Sequence, residues 1–189
     1  MNRCVSVGGG VDALETLLDE HRTIGMTIGL LKDSVKGLQS GKAPSPEFFE
    51  EIFDVLRNFV DRCHHGKEEE VLFPLVRKRD AEEAGIVSLL LEEHEKGRAF
   101  VRAMKDAVSK NDRAGIIKNA NGYTALLLQH IRRENMIFPT WINPLEDETK
   151  KEISERFDEI EAEAIGPGKH QEYLQTIERL KNGNVGMKE

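Results

Sequence analysis

Aromatic side chains are scarce in this 189-residue chain, at 6%, and cysteine occurs only twice. Sheets draw heavily on aromatic and β-branched residues, so this scarcity beside 32% charged residues favours exposed helices. Cys4 and Cys63 make neither a disulfide framework nor a CxxC pair, and reduced thiols are expected. No apolar run approaches the ~20 residues that a membrane span needs. Met1 to Gly10 lacks the basic and apolar regions of a secretory signal. No basic block offsets the formal charge of -7, which argues against a nucleic-acid or anionic-membrane partner. The expectation is a cytoplasmic protein without a membrane or nucleic-acid partner, either monomer or dimer.

What is present is helical periodicity. Residues 1–10 end in Gly8-Gly9-Gly10 and read as a flexible arm. Leu14, Leu17, His21, Ile24, Ile28, Leu31, Val35 and Leu38 then alternate steps of three and four, the seam of a packed helix. Ser45-Pro46 opens a second helix reaching about Lys78, with Phe59, Glu69 and Phe73 on its seam and His65 beside it. A third, from about Gly85 to Ser109, carries His94 in an apolar row, and a fourth follows the Asn111-Asp112 cap with Leu127, His130, Glu134 and Trp141. The fold class predicted is all-α: an up-down-up-down four-helix bundle over residues 11–145 with a C-terminal helical extension over 146–189. Within the extension, acids at Glu146 to Glu148 open one helix, Gly166-Pro167-Gly168 stops it, and a short helix runs from about Lys169 to Leu180. It is expected to cover the bundle or another subunit.

Two repeats carry the chemistry. His65 to Pro74 and His130 to Pro139 both read HxxxExxxFP, and Glu20-His21 and Glu93-His94 precede them in turn. Residues four apart share a helix face, so each long repeat projects an imidazole, a carboxylate and a phenyl ring as one stripe. His64 and Glu68 share that spacing. On a regular α-helix, however, the turn of roughly 100° per residue carries them off the Phe59/Phe73 stripe, which favours His65 and Glu69 and leaves Lys67, Glu68 and Glu70 on a solvated face. His21, His65, Glu69, His94, His130 and Glu134 are therefore the candidate metal ligands. This nitrogen and oxygen set without sulfur suits iron or manganese and can suit zinc. Two carboxylates, each able to bridge neighbouring cations, argue for two ions. Tyr123 reads as a core residue and His170 as a surface one.

The ordered set of His21, His65/Glu69, His94 and His130/Glu134 resembles the hemerythrin-like, or HHE cation-binding, proteins over about residues 11–145. The resemblance implies a bundle of hemerythrin type and two iron ions with an oxo or hydroxo bridge, meeting a small molecule such as oxygen, peroxide or nitric oxide. This chain departs from the oxygen carriers at two places. Arg98 stands where they have a second third-helix histidine, and Glu134 follows His130 by four residues where they place an aspartate after five. The expected pairing puts His21 and His65 on one iron and His94 and His130 on the other, bridged by Glu69 and Glu134. Arg98 would hold a bound anion, or water would fill the vacancy. The function expected is binding, sensing or detoxifying the small molecule, or handling iron. The alternatives are a di-iron oxidase or peroxidase and a structural zinc bundle. Ferritin-like ExxH pairs are absent, because Leu18, Arg62, Leu91 and Leu127 precede the four histidines by three.

Overall fold

A computed structural model describes residues 12–42, 44–166 and 168–182; the arm at 1–10 and Cys4 lie outside them. Among the described residues the chain is all-helical, with no strand. Helix α1, Ala13–Gln39, begins where the Asp12 carboxylate accepts from the Leu14 N–H at 2.8 Å. Helix α2, Pro46–Asp54, begins where the Ser45 hydroxyl accepts from the Phe48 N–H. The chain then widens into π-helical turns over Val55–His65 and again over Glu68–Leu72, and ends this long helix as α3, Phe73–Arg79. Pro74 sits in the first turn of α3, so the helix continues through the proline and the wide turns come just before it.

Helix α4 is Ala84–Ser109. Asn111, at φ 52°, turns the chain so that the Asp112 carboxylate can cap α5, Arg113–Ile142. Helices α6, Asp147–Ala164, and α7, Lys169–Asn182, are joined by Gly166 and Gly168, both at positive φ, a conformation glycine adopts without steric cost. No helix of the described residues is long and apolar enough to cross a membrane.

The apolar side chains gather into two cores. One contains Ile24, Phe59, Val60, Met104 and Leu127, and the other Leu17, Leu72, Phe73, Leu90 and Phe138. Every long helix runs from one core to the other, and in each the passage is polar. Helix α1 crosses at Glu20 and His21, the π-turn helix at His64 to Glu68, α4 at Glu93 and His94, and α5 at His130 and Glu134; all of these except the π-turn helix's Gly66 are buried. The order of the cores reverses from each of these helices to the next. The extension crosses the same layer: Phe157 of α6 joins one core, Ile177 and Leu180 of α7 join the other, and Glu161 and His170 lie between. Each large apolar side chain removed from water contributes roughly 1.5–3 kcal/mol, so the cores hold the polar layer closed from both ends.

Candidate metal centre

The π turns decide which residues face inward. Among the buried positions along this helix, Phe59, His64, Glu68 and Phe73 form a row spaced by five, four and five. A five-residue step is the repeat of a π turn, which rotates less per residue than an α turn. Two consequences follow. His64 and His65 both face the interior, and Glu68 takes the inward place that α-helical periodicity assigns to Glu69. Glu68 and Lys67, expected on a solvated face, are buried completely or nearly so. Glu69 is displaced sideways and half-buried, where it accepts from His94 Nδ1 and from the Arg98 guanidinium, both at 2.7 Å.

Two histidine-glutamate groups result: His21, His64, Glu68 and Glu134; and His65, Glu68, His94 and His130. The expected pairing of His21 with His65 is thus not what the fold builds. His65 stacks on His94, with ring centroids 3.8 Å apart, while His64 packs edge-on to His21 at 4.8 Å. Both carboxylates face both groups. Glu68 turns Oε1 to His64 Nε2 at 3.3 Å and Oε2 to His94 Nε2 at 3.2 Å. Glu134 turns Oε2 to His21 Nε2 at 3.2 Å and Oε1 to His130 Nε2 at 2.9 Å. Phe138 lies against His21 and Phe73 against His94, so each phenyl ring of the long repeats packs on a histidine of another helix.

An outer ring of acceptors orients the imidazoles. His64 Nδ1 donates to Glu20 at 2.9 Å, His130 Nδ1 to Glu93 at 2.9 Å, His94 Nδ1 to Glu69, and His21 Nδ1 to the Asn135 carbonyl at 2.8 Å. This fixes the tautomer and aims the Nε2 lone pairs inward, the arrangement that holds metal-binding histidines. It also explains the short repeat: the glutamate of each Glu-His pair orients the histidine of the following helix. Behind Glu20 stands Lys67, 1% exposed, which also donates to Glu161 at 2.9 Å. Behind Glu93 stands Arg133, at 2.6 Å.

Protonation follows this geometry. Burial opposes charge on Glu20 and Glu93, but His64 with Lys67, and His130 with Arg133, outweigh it and hold both carboxyls below the usual range. Burial would likewise strip His130 of a second proton, yet Glu134 and Glu93 raise it to about 10. His65 goes the other way: burial and the neighbouring imidazoles hold it well below its ordinary value, so it stays neutral. Arg98 is held by Asp61, Glu69 and Glu95, each at 2.7 Å, so its charge is already met by carboxylates of the chain.

The residues fit bound metal cations. His21 Nε2, both nitrogens of His65 and all four oxygens of Glu68 and Glu134 are buried without a hydrogen-bond partner. His94 Nε2 and His130 Nε2 lie 3.0 Å apart while their Nδ1 protons point outward, a contact that is favourable only with a proton or a metal ion between two lone pairs. Buried carboxylates in that state cost several kcal/mol each unless a cation accompanies them. The structure brings His21, His65, His94, His130 and Glu134 together and leaves Glu69 outside. It adds His64 and Glu68, which carry the same HxxxE spacing, and Glu20 and Glu93, whose signal is the duplicated Glu-His pair. Cys63 is a buried free thiol, pushed by burial to about 12 and therefore inert. His170 is half-buried, edge-on to Phe59 at 5.1 Å and close to Glu161.

The sequence profile of the hemerythrin HHE cation-binding domain matches residues 12–142. Three uncharacterized proteins, one from Mycobacterium bovis and two from strains of Mycobacterium tuberculosis, are each 24% identical to this chain over 179 residues, covering 88% of it and 68% of their own length. No solved structure matches the chain.

Proposed function

Since the chain belongs to the hemerythrin HHE cation-binding family, we propose that its buried histidines and glutamates hold two iron ions and that the protein binds, senses or detoxifies a small molecule such as oxygen, peroxide or nitric oxide. His21 and His64 would serve one ion and His65, His94 and His130 the other, with Glu68 and Glu134 shared. His65 would thereby supply the imidazole that Arg98 does not. The observation that carries this reading is the placement of the two shared carboxylates, each with one unpartnered oxygen toward either histidine group. A bound iron pair supplies redox electrons and open coordination positions to the small molecule. The chain's own residues orient the imidazoles, neutralise the ions and exclude bulk water.

The reversal of core order along successive helices supports an up-down-up-down bundle over about residues 11–145, with 146–189 as an extension whose described part lies against it. The test is ferrous titration of metal-free protein, followed by metal analysis and the optical spectrum. Two irons per chain are expected. Glu68→Ala should lose at least one, whereas Glu69→Ala should keep both with a weaker fit. Retention of two irons at native affinity in Glu68→Ala sinks the assignment. Stopped-flow mixing of reduced protein with oxygen and with peroxide then separates a binder, which forms a stable adduct, from an oxidase or peroxidase, which turns over. Stoichiometric zinc in the purified protein would favour the structural reading instead.

A further inference from the structure

A cavity of about 290 Å³ lies between the π-turn helix, α4 and α5, and its inner wall includes His65 and Tyr123. That volume accommodates roughly ten water-sized groups. Its sides are apolar, formed by Phe53, Leu56, Val60 and Val101. Gly97 also lines it, and a Cβ at that position would meet the Tyr123 ring at an ordinary contact distance of 3.6 Å.

The rim has a different character. Arg57, Arg102 and Lys105 are exposed around it, and none forms an ion pair or hydrogen bond with the described residues. Asp61, the acid in the wall, is already neutralised by Arg98 at 2.7 Å. In a chain of formal charge -7, three unpaired cations at the mouth of one apolar cavity make a local positive field that attracts an anion.

We propose that this cavity binds a small amphipathic carboxylic acid, its carboxylate held by Arg57, Arg102 and Lys105 and its apolar body directed along Leu56, Val60 and Val101 toward His65. The complementarity has two parts: an apolar body gains by leaving water for the apolar walls, and the carboxylate stays at the rim with partners and solvent. The inference leans on the proposed metal centre only for what the bound acid meets at its inner end; the cavity and its rim stand without it.

The test is titration calorimetry of the protein as purified, with octanoate as probe, octanamide as its neutral counterpart and acetate as the headgroup alone. Metal content is counted on the same samples, so loss of the metal reading shows there and loss of this one shows in the heats. Octanoate should bind at least tenfold more tightly than either octanamide or acetate. The triple variant Arg57→Gln/Arg102→Gln/Lys105→Gln, confined to exposed side chains, should weaken octanoate about tenfold or more and leave octanamide unchanged. Val101→Phe, which fills the cavity, should weaken both. The proposal is overturned if octanoate gives no heat, if octanamide or acetate matches it, or if the triple variant binds octanoate as the parent does.

Discussion

The two halves of the polar layer share a plan and differ in how they are closed. In one, Glu20 orients His64 and is backed by Lys67; in the other, Glu93 orients His130 and is backed by Arg133. Lys67 is sealed beneath α6 by Glu161, whereas the Arg133 side chain remains 32% exposed. The first half also carries the π turns and two consecutive inward histidines, while α5 carries one. The lesson is that a duplicated motif need not make duplicated environments: the extension buries the backing cation of one half and leaves that of the other partly exposed.

Removing the backing cations should separate the halves most sharply. Lys67→Met strands the Glu20 charge in the interior and should cost about 3–5 kcal/mol, whereas Arg133→Met should cost under about 1 kcal/mol because the guanidinium it removes is itself 32% exposed and screened by water. Urea unfolding of the two variants measures the gap, and equal losses would erase the distinction. Removing the orienting carboxylates comes next. Glu20→Gln and Glu93→Gln should each weaken metal binding at the proposed site by about 10- to 100-fold, with the sealed half at the upper end. Competition with a chelator reads this, and unchanged affinity in both would mean the outer ring does not tune the ligands.

Acid should loosen the sealed half. Burial opposes charge on Glu161, but His170 and Lys67 override it and lower its carboxyl to about 2 from an ordinary 4.5. A depressed carboxyl stabilises the fold above its unfolded value and loses that contribution as pH falls through about 4.5 toward 2. After allowance for partial exposure this is worth ~1–2 kcal/mol. Hydrogen-exchange protection across α6 and α7, relative to the free-amide rate at each pH, should therefore fall over that window, and Glu161→Gln should show the lowered protection already at neutral pH. The smallest effect belongs to Gly66→Ala. A Cβ there would stand 3.3 Å from Ile160 Cγ2, so the α6 contact must give slightly, and a loss below about 1 kcal/mol is expected in the same unfolding assay.

Helical periodicity was enough to place the helices. The Ser45-Pro46 start, the Asp112 cap and the stop around Gly166 stand where composition puts them, because capping and breaking are local properties. His21, His94, His130 and Glu134 were legible for a related reason: each lies on a regular α-helical seam flanked by apolar residues. Glu68 and His64 were not. Their inward position depends on π turns, and a five-residue step disappears inside a pattern read in threes and fours. Pro74, which cannot donate to a preceding carbonyl, marks where that widening ends, although its missing N–H by itself suggests only a kink. Lys67 was misplaced for the same reason, and its burial also needs Glu161, a partner 94 residues away that no local pattern announces.

His64 and His65 are joined by a single peptide bond yet belong to different ligand groups. With two ions bound, that bond would act as a yoke: setting the turn for one ion also sets the imidazole offered to the other. Occupancy of either position should thus preorganise its neighbour, so loading would be cooperative and a half-filled protein scarce.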